Sequence, residues 1–217
     1  MLKLGLTGGI ASGKSAVAAM LREMGFAVLE ADLVAHKVIE PGQATHDEVV
    51  AAFGPEIIGD NGRINRAWLG ALVFADREKL QKLNAIVHPR VREAILQQLK
   101  EWESEGKRDV VFVEAALLVE AGYVKALDGL VVVWCRPEQQ LQRMVARGFD
   151  ETEAQRRMAA QMDVAEKLHY ATYTIDCSET LEDTRQQVSA LVEKIRHTAK
   201  ETKGSRAPSK TGSGTES

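Results

Sequence analysis

Cysteine is scarce in this chain of 217 residues. Only Cys135 and Cys177 occur, and their spacing fits neither a disulfide framework nor a metal site. A reducing, cytoplasmic setting is the expectation. An excess of charge of one sign is missing too: 28 basic residues stand against 31 acidic ones, a formal net charge of −3. That balance gives no global pull toward nucleic acid or an anionic membrane. No apolar run approaches the length that spans a bilayer, no signal-peptide pattern precedes the first apolar segment, and no internal repeat is present. Nothing in the composition calls for an obligate protein partner. What remains is ordinary globular composition, 45% hydrophobic and 27% charged. Thr198–Ser217 is the exception, being Thr, Lys, Ser, Gly and Pro with almost nothing apolar. It is expected to be a disordered tail. Residues 1–197 then suffice for one core, or one core with a small inserted subdomain.

Residues 2–15 read LKLGLTGGIASGKS, an apolar run followed by Gly8-x-x-x-x-Gly13-Lys14-Ser15. This is the Walker A pattern, and it arrives in the context its chemistry needs. Leu2, Leu4 and Leu6 suit a buried strand; Val17, Met20, Leu21 and Met24 fall at helical spacing, with Gly25 as a stop. Gly8 and Gly9 let backbone N–H groups turn toward a phosphate, and the helix N-terminus adds partial positive charge. Ala11, Ser12, Gly13 and Ala16 complete the loop. Lys14 is placed to reach the β- and γ-phosphates of ATP, and the Ser15 hydroxyl to ligate Mg²⁺.

Apolar or β-branched runs recur at Leu2–Thr7, Phe26–Glu30, Val110–Glu114, Leu130–Trp134 and Tyr173–Asp176. Helical patterns separate most of them, which predicts an α/β fold with a five-stranded parallel sheet. Residues 33–108 form a long excursion between the second and third strands. In an α/β nucleotide enzyme such an insertion is a natural acceptor-binding subdomain, and it also suits a purely structural helical cap. A helical run from about Asp76 to Trp102 contains Pro89, which is expected to kink or split it near His88. Thr180 and Asp183 make a plausible capping box for a final amphipathic helix.

Asp32 closes the second strand, where a carboxylate can orient an attacking hydroxyl and accept its proton; Asp equally suits a helix N-cap there. Glu114 ends the third strand, at the place of an acid that supports Mg²⁺ or its water, or of a cap. Arg143 and Arg147 lie one turn apart, Gly148-Phe149 breaks the helix, and Asp150 with Glu153 resembles a cap for a second helix carrying Arg156, Arg157 and Gln161. An arginine-rich helical hairpin of this kind, about residues 143–165, suits a mobile lid over a triphosphate; a solvated charged hairpin is the plainer alternative.

LTGGIASGKS, EAD at 30–32, AIVHPRV at 85–91, ALLVE at 116–120, RMVAR at 143–147, RRMAAQ at 156–161 and the Lys167…Tyr173-Thr-Ile-Asp176 segment occur in one order. In that series the chain resembles the dephospho-CoA kinases over essentially residues 1–197. The resemblance implies a P-loop kinase core from 1–32 and 109–197, a helical acceptor-binding insertion and a helical lid. It also implies ATP-dependent phosphorylation of the ribose 3′-hydroxyl of dephospho-CoA. On the same basis Asp32 is the base, and Lys14, Arg143, Arg147 and Arg157 serve the phosphates. His88, Arg90 and Arg92 belong to the acceptor side. Ala11, Ala16, Ala116, Thr172 and Cys177 depart from the family pattern, Ala11 standing where a third loop glycine is usual. A nucleoside or nucleoside-monophosphate kinase would share the loop, base and lid. A P-loop switch GTPase would want an Asn/Thr-Lys-x-Asp motif, which the chain lacks.

Overall fold

The apolar runs become one sheet. In the computed structural model, which describes residues 1–205, the strands are β1 (Leu2–Gly8), β2 (Ala27–Glu30), β3 (Val110–Glu114), β4 (Gly129–Trp134) and β5 (Tyr173–Asp176). All pairings are parallel, in the order β2-β3-β1-β4-β5. β3 is buried throughout and β4 nearly so, because helices cover both faces. On one face α1 (Lys14–Glu23) and α9 (Leu181–Ser205) bring Val17, Leu21, Val188, Val192 and Ile195 against Leu4, Leu6, Phe112, Val131 and Ile175. On the other, α2 (Ala31–Val38) and the second half of α5 (Arg77–Glu105) cover Val111, Val113, Leu130 and Val132. The chain leaves β1 for β2, returns to β3, then crosses β1 to reach β4. Its connections therefore diverge at the carboxyl end of β1, the place where open α/β sheets take their ligands.

Between β2 and β3, α3 (Ala44–Phe53), α4 (Arg66–Phe74) and the first half of α5 enclose a small core of their own: Val49, Phe53, Ile57, Ile64, Leu69 and Val73. Contrary to expectation, Pro89 neither ends nor divides the helix around it; α5 runs 29 residues with the proline inside. Packing on both sides explains this. Leu80, Leu83, Ile86 and Val87 lean on the small core, while Val91, Ile95 and Leu99 are buried against the sheet. Burial at about 1.5–3 kcal/mol per side chain outweighs the ~3 kcal/mol cost of an interior proline.

After β4 come α6 (Pro137–Ala146), α7 (Glu151–Ala159) and the short α8 (Val164–Leu168). Asp150 caps α7 by accepting from the Glu153 amide at 2.9 Å. Thr180 and Asp183 form the expected reciprocal cap, each side chain accepting from the other's backbone N–H at 3.1 Å. α9 then continues well past His197 to Ser205, and Ala199 is buried against the sheet core. The start expected for a disordered tail, Thr198, is thus helical; 206–217 lie outside the described residues. Among the described residues no helix is long and apolar enough to cross a membrane.

Candidate active site

The loop from Gly8 to Ser15 joins β1 to α1, and its backbone explains several residues. Gly13 has φ +106°, and a Cβ there would stand 2.9 Å from Cys177, so only glycine fits. Ala11 holds φ +57°, a left-handed conformation that glycine would adopt without strain. No side chain caps α1, leaving its N-terminus to an anion. Arg143, from α6, braces the loop: its guanidinium donates to the Ala11 carbonyl at 3.2 Å and to the Cys177 carbonyl at 2.7 Å. Gln161 accepts from the Ile10 amide at 2.9 Å. The Ser12 hydroxyl is buried without a hydrogen-bond partner, and Ser15 is exposed.

Beside the loop lies a four-charge network. Register sets Glu30 and Glu114 level at the ends of β2 and β3. Lys14 donates to Glu114 at 2.6 Å, and Arg22 reaches Glu30 at 2.6 Å and Glu114 at 3.4 Å. Lys14 therefore rests on a buried carboxylate. Among the described residues no group of three acidic, His or Cys side chains gathers as a metal cage. Ser15 Oγ beside the phosphate-facing loop suits Mg²⁺, which takes few protein ligands and several from phosphate and water. Glu114 is already engaged by two cations.

Asp32 is in the first turn of α2, whose N-cap is Glu30, so the capping alternative for Asp32 does not hold. Its exposed carboxylate lines a cleft of about 500 Å³ between the strand ends, α2, α4 and α5. His36, one turn beyond Asp32, faces the same space with Arg66, Asn84 and His88; Leu69, Val73, Leu83, Leu117 and Leu118 make an apolar wall. Burial first, and then the Arg66 charge, holds the His36 imidazole below its ordinary value, which keeps it neutral near pH 7. Tyr123, its phenol pushed up by burial, donates to the His88 carbonyl at 3.3 Å. Arg90 instead pairs with Glu48 at 3.2 Å and Glu93 at 3.5 Å on the outer side of α5. Arg92 is exposed, and neither arginine lines the cleft.

Arg147 is exposed at the end of α6. Arg157 is tied within the hairpin, donating to Glu153 at 2.7 Å and stacking on Phe149 with 4.7 Å to the ring centroid. Of the expected phosphate-side groups, then, Lys14, Ser15 and Arg143 converge on the loop, while Arg147 and Arg157 stand away from it. Arg22, His36 and Arg66 were not singled out as site groups by the sequence motifs, and Gln161 was read only as part of the lid hairpin. His36 carried a signal, since it falls one helical turn after Asp32.

A parallel five-stranded sheet, a phosphate loop after β1 and carboxylates at the neighbouring strand ends define a P-loop kinase. A family model described as dephospho-CoA kinase matches residues 2–183. The dephospho-CoA kinase of Geobacillus kaustophilus is 45% identical over 192 residues, 88% of this chain and 95% of that one. Among solved structures, TT1252 from Thermus thermophilus aligns with a TM-score of 0.75 at 36% identity, covering 89% of this chain and 97% of that one. The dephospho-CoA kinase from Campylobacter jejuni aligns at 0.70 with 28% identity, covering 90% and 98%. The chain belongs to the dephospho-CoA kinase family, whose reaction is the ATP-dependent phosphorylation of dephospho-CoA that completes coenzyme A biosynthesis.

Proposed function

We propose that the cleft beside Asp32 holds dephospho-CoA with its ribose 3′-hydroxyl at that carboxylate, in line with a γ-phosphate cradled by the 8–16 loop. The supporting observation is the position of the Asp32 side chain: its carboxylate stands where the strand ends and the cleft meet, and it makes no side-chain hydrogen bond among the described residues. Asp32 orients the hydroxyl and accepts its proton as the new P–O bond forms. Lys14 leaves Glu114 for the β- and γ-phosphates, spreading the developing charge. Ser15, with Glu114 in support, would hold Mg²⁺, which when bound would supply further charge neutralisation. Arg147 and Arg157 reach the phosphates when the 143–165 hairpin closes and excludes water, for which Arg157 exchanges Glu153 for phosphate.

On the acceptor side His36, Arg66 and His88 take the polar end of the substrate, and the apolar wall takes its pantetheine arm. Arg90 and Arg92 lie outside the cleft lining. Residues 33–108 thereby form the acceptor-binding unit, with 1–32 and 109–197 the nucleotide-binding core. The setting is cytoplasmic, which both cysteines support by being free, buried thiols. Asp32→Asn tests the central residue: kcat is expected to fall about 10²–10⁴-fold with KM for ATP nearly unchanged. Wild-type kcat in that variant would remove Asp32 from the chemistry.

A further inference from the structure

Among the described residues Lys167 is the one lysine whose side chain is fully buried. An ammonium group is costly to bury unless it is paired and hydrogen-bonded, so its partners are informative. It donates to the Ala116 carbonyl at 2.8 Å and pairs with Glu120 Oε1 at 3.0 Å. Each partner is shared. The Ala116 carbonyl also accepts from Thr7 Oγ1 at 3.1 Å, at the end of β1 where the phosphate loop begins. Glu120 Oε1 also accepts from the Met162 amide at 3.2 Å, next to Gln161, which holds the Ile10 amide of that loop.

Residues 115–122 are turns with no strand ladder or helix of their own, yet Ala115, Ala116, Leu117, Leu118 and Ala121 form a wall of the Asp32 cleft. Their shape depends on whatever fixes their backbone groups. We infer that Lys167 and Glu120 act as a positioning pair, latching this wall to the phosphate loop and to the base of the hairpin. Neither residue lines the Asp32 cleft. The pair sets where the acceptor stands relative to the γ-phosphate, so its loss is felt in acceptor binding and alignment. The inference rests on the reading of the Asp32 cleft as the acceptor site.

Two-substrate kinetics on the full chain test it, with melting temperatures measured in parallel. Glu120 is part exposed, so Glu120→Ala is the variant of choice, with Lys167→Met as a second. Glu120→Ala is expected to raise KM for dephospho-CoA roughly tenfold and lower kcat, with KM for ATP changed less than about twofold. Glu120→Gln keeps an oxygen for both donors and is expected to recover most of that KM. A lowered melting temperature with unchanged kinetic constants, or an equal rise in both KM values, would overturn the latch. Arg66→Ala, a cleft residue outside the pair, separates the two readings. If it too leaves the acceptor KM unchanged, the cleft assignment has failed; if it alone raises that KM, only the latch has.

Discussion

Glu114 carries two cations at once, Lys14 at 2.6 Å and Arg22 at 3.4 Å, and is itself nearly buried. Lys14→Ala is therefore expected to do two things. It abolishes transfer, by removing the phosphate contact. It also lowers stability by about 1–3 kcal/mol, because Glu114 is left buried with one distant partner. Glu114→Gln added to Lys14→Ala is expected to recover part of the stability and none of the activity, as read from denaturant unfolding and turnover. Full stability in the single variant would contradict the pairing. At Ala11 two small effects oppose each other. Glycine there relieves ~1 kcal/mol of left-handed strain and loses a buried methyl worth ~0.8 kcal/mol. Ala11→Gly should leave stability within about 0.5 kcal/mol of wild type, with KM for ATP unchanged. The loop residues were legible from spacing alone, since backbone geometry demands Gly13 and helix polarity rewards an anion. The resting partner of Lys14 was not, because Glu114 lies 100 residues away and only strand register brings it alongside.

Helix ends were equally legible where a local hydrogen bond sets them. The Thr180 hydroxyl, donating to the Asp183 carboxylate at 2.6 Å, and then the Thr180 amide, donating to it at 3.1 Å, hold that carboxyl below its ordinary value. A carboxylate depressed in the folded state stabilises at neutral pH, and that contribution is lost as pH falls below the usual carboxylate range. Asp183→Asn is thus expected to lower the melting temperature near neutral pH and to narrow the difference between about pH 7 and about pH 3. An unchanged pH dependence would exclude the cap as its source. Pro89 shows the opposite case. Its local chemistry argues for a break in α5, and packing on two separate cores prevails. Likewise Arg90 and Arg92 cluster with His88 in sequence, but Arg90 turns to Glu48, Arg92 is exposed, and of the three His88 lines the cleft. A proline's effect on direction and a helix's rotation are tertiary outcomes, beyond what composition carries.

For the whole molecule, the sheet binds the parts together: α9 closes one face and the insertion stands over the other. Because Ala199 lies on that core, a chain ending at His197 is expected to melt below one ending at Ser205, and equal melting would place no weight on the added turns. The larger claim is that one cleft, built from β2, β3 and the insertion, takes an acceptor far longer than a mononucleotide. Its apolar wall has no counterpart to contact in AMP, which lacks the pantetheine arm. The most direct measurement compares kcat/KM for dephospho-CoA and for AMP under saturating ATP, in one assay with the full chain. Dephospho-CoA is expected to exceed AMP by roughly 10²-fold or more, the difference arising from binding energy along the arm. Equal efficiency on AMP would contradict the assignment of the cleft.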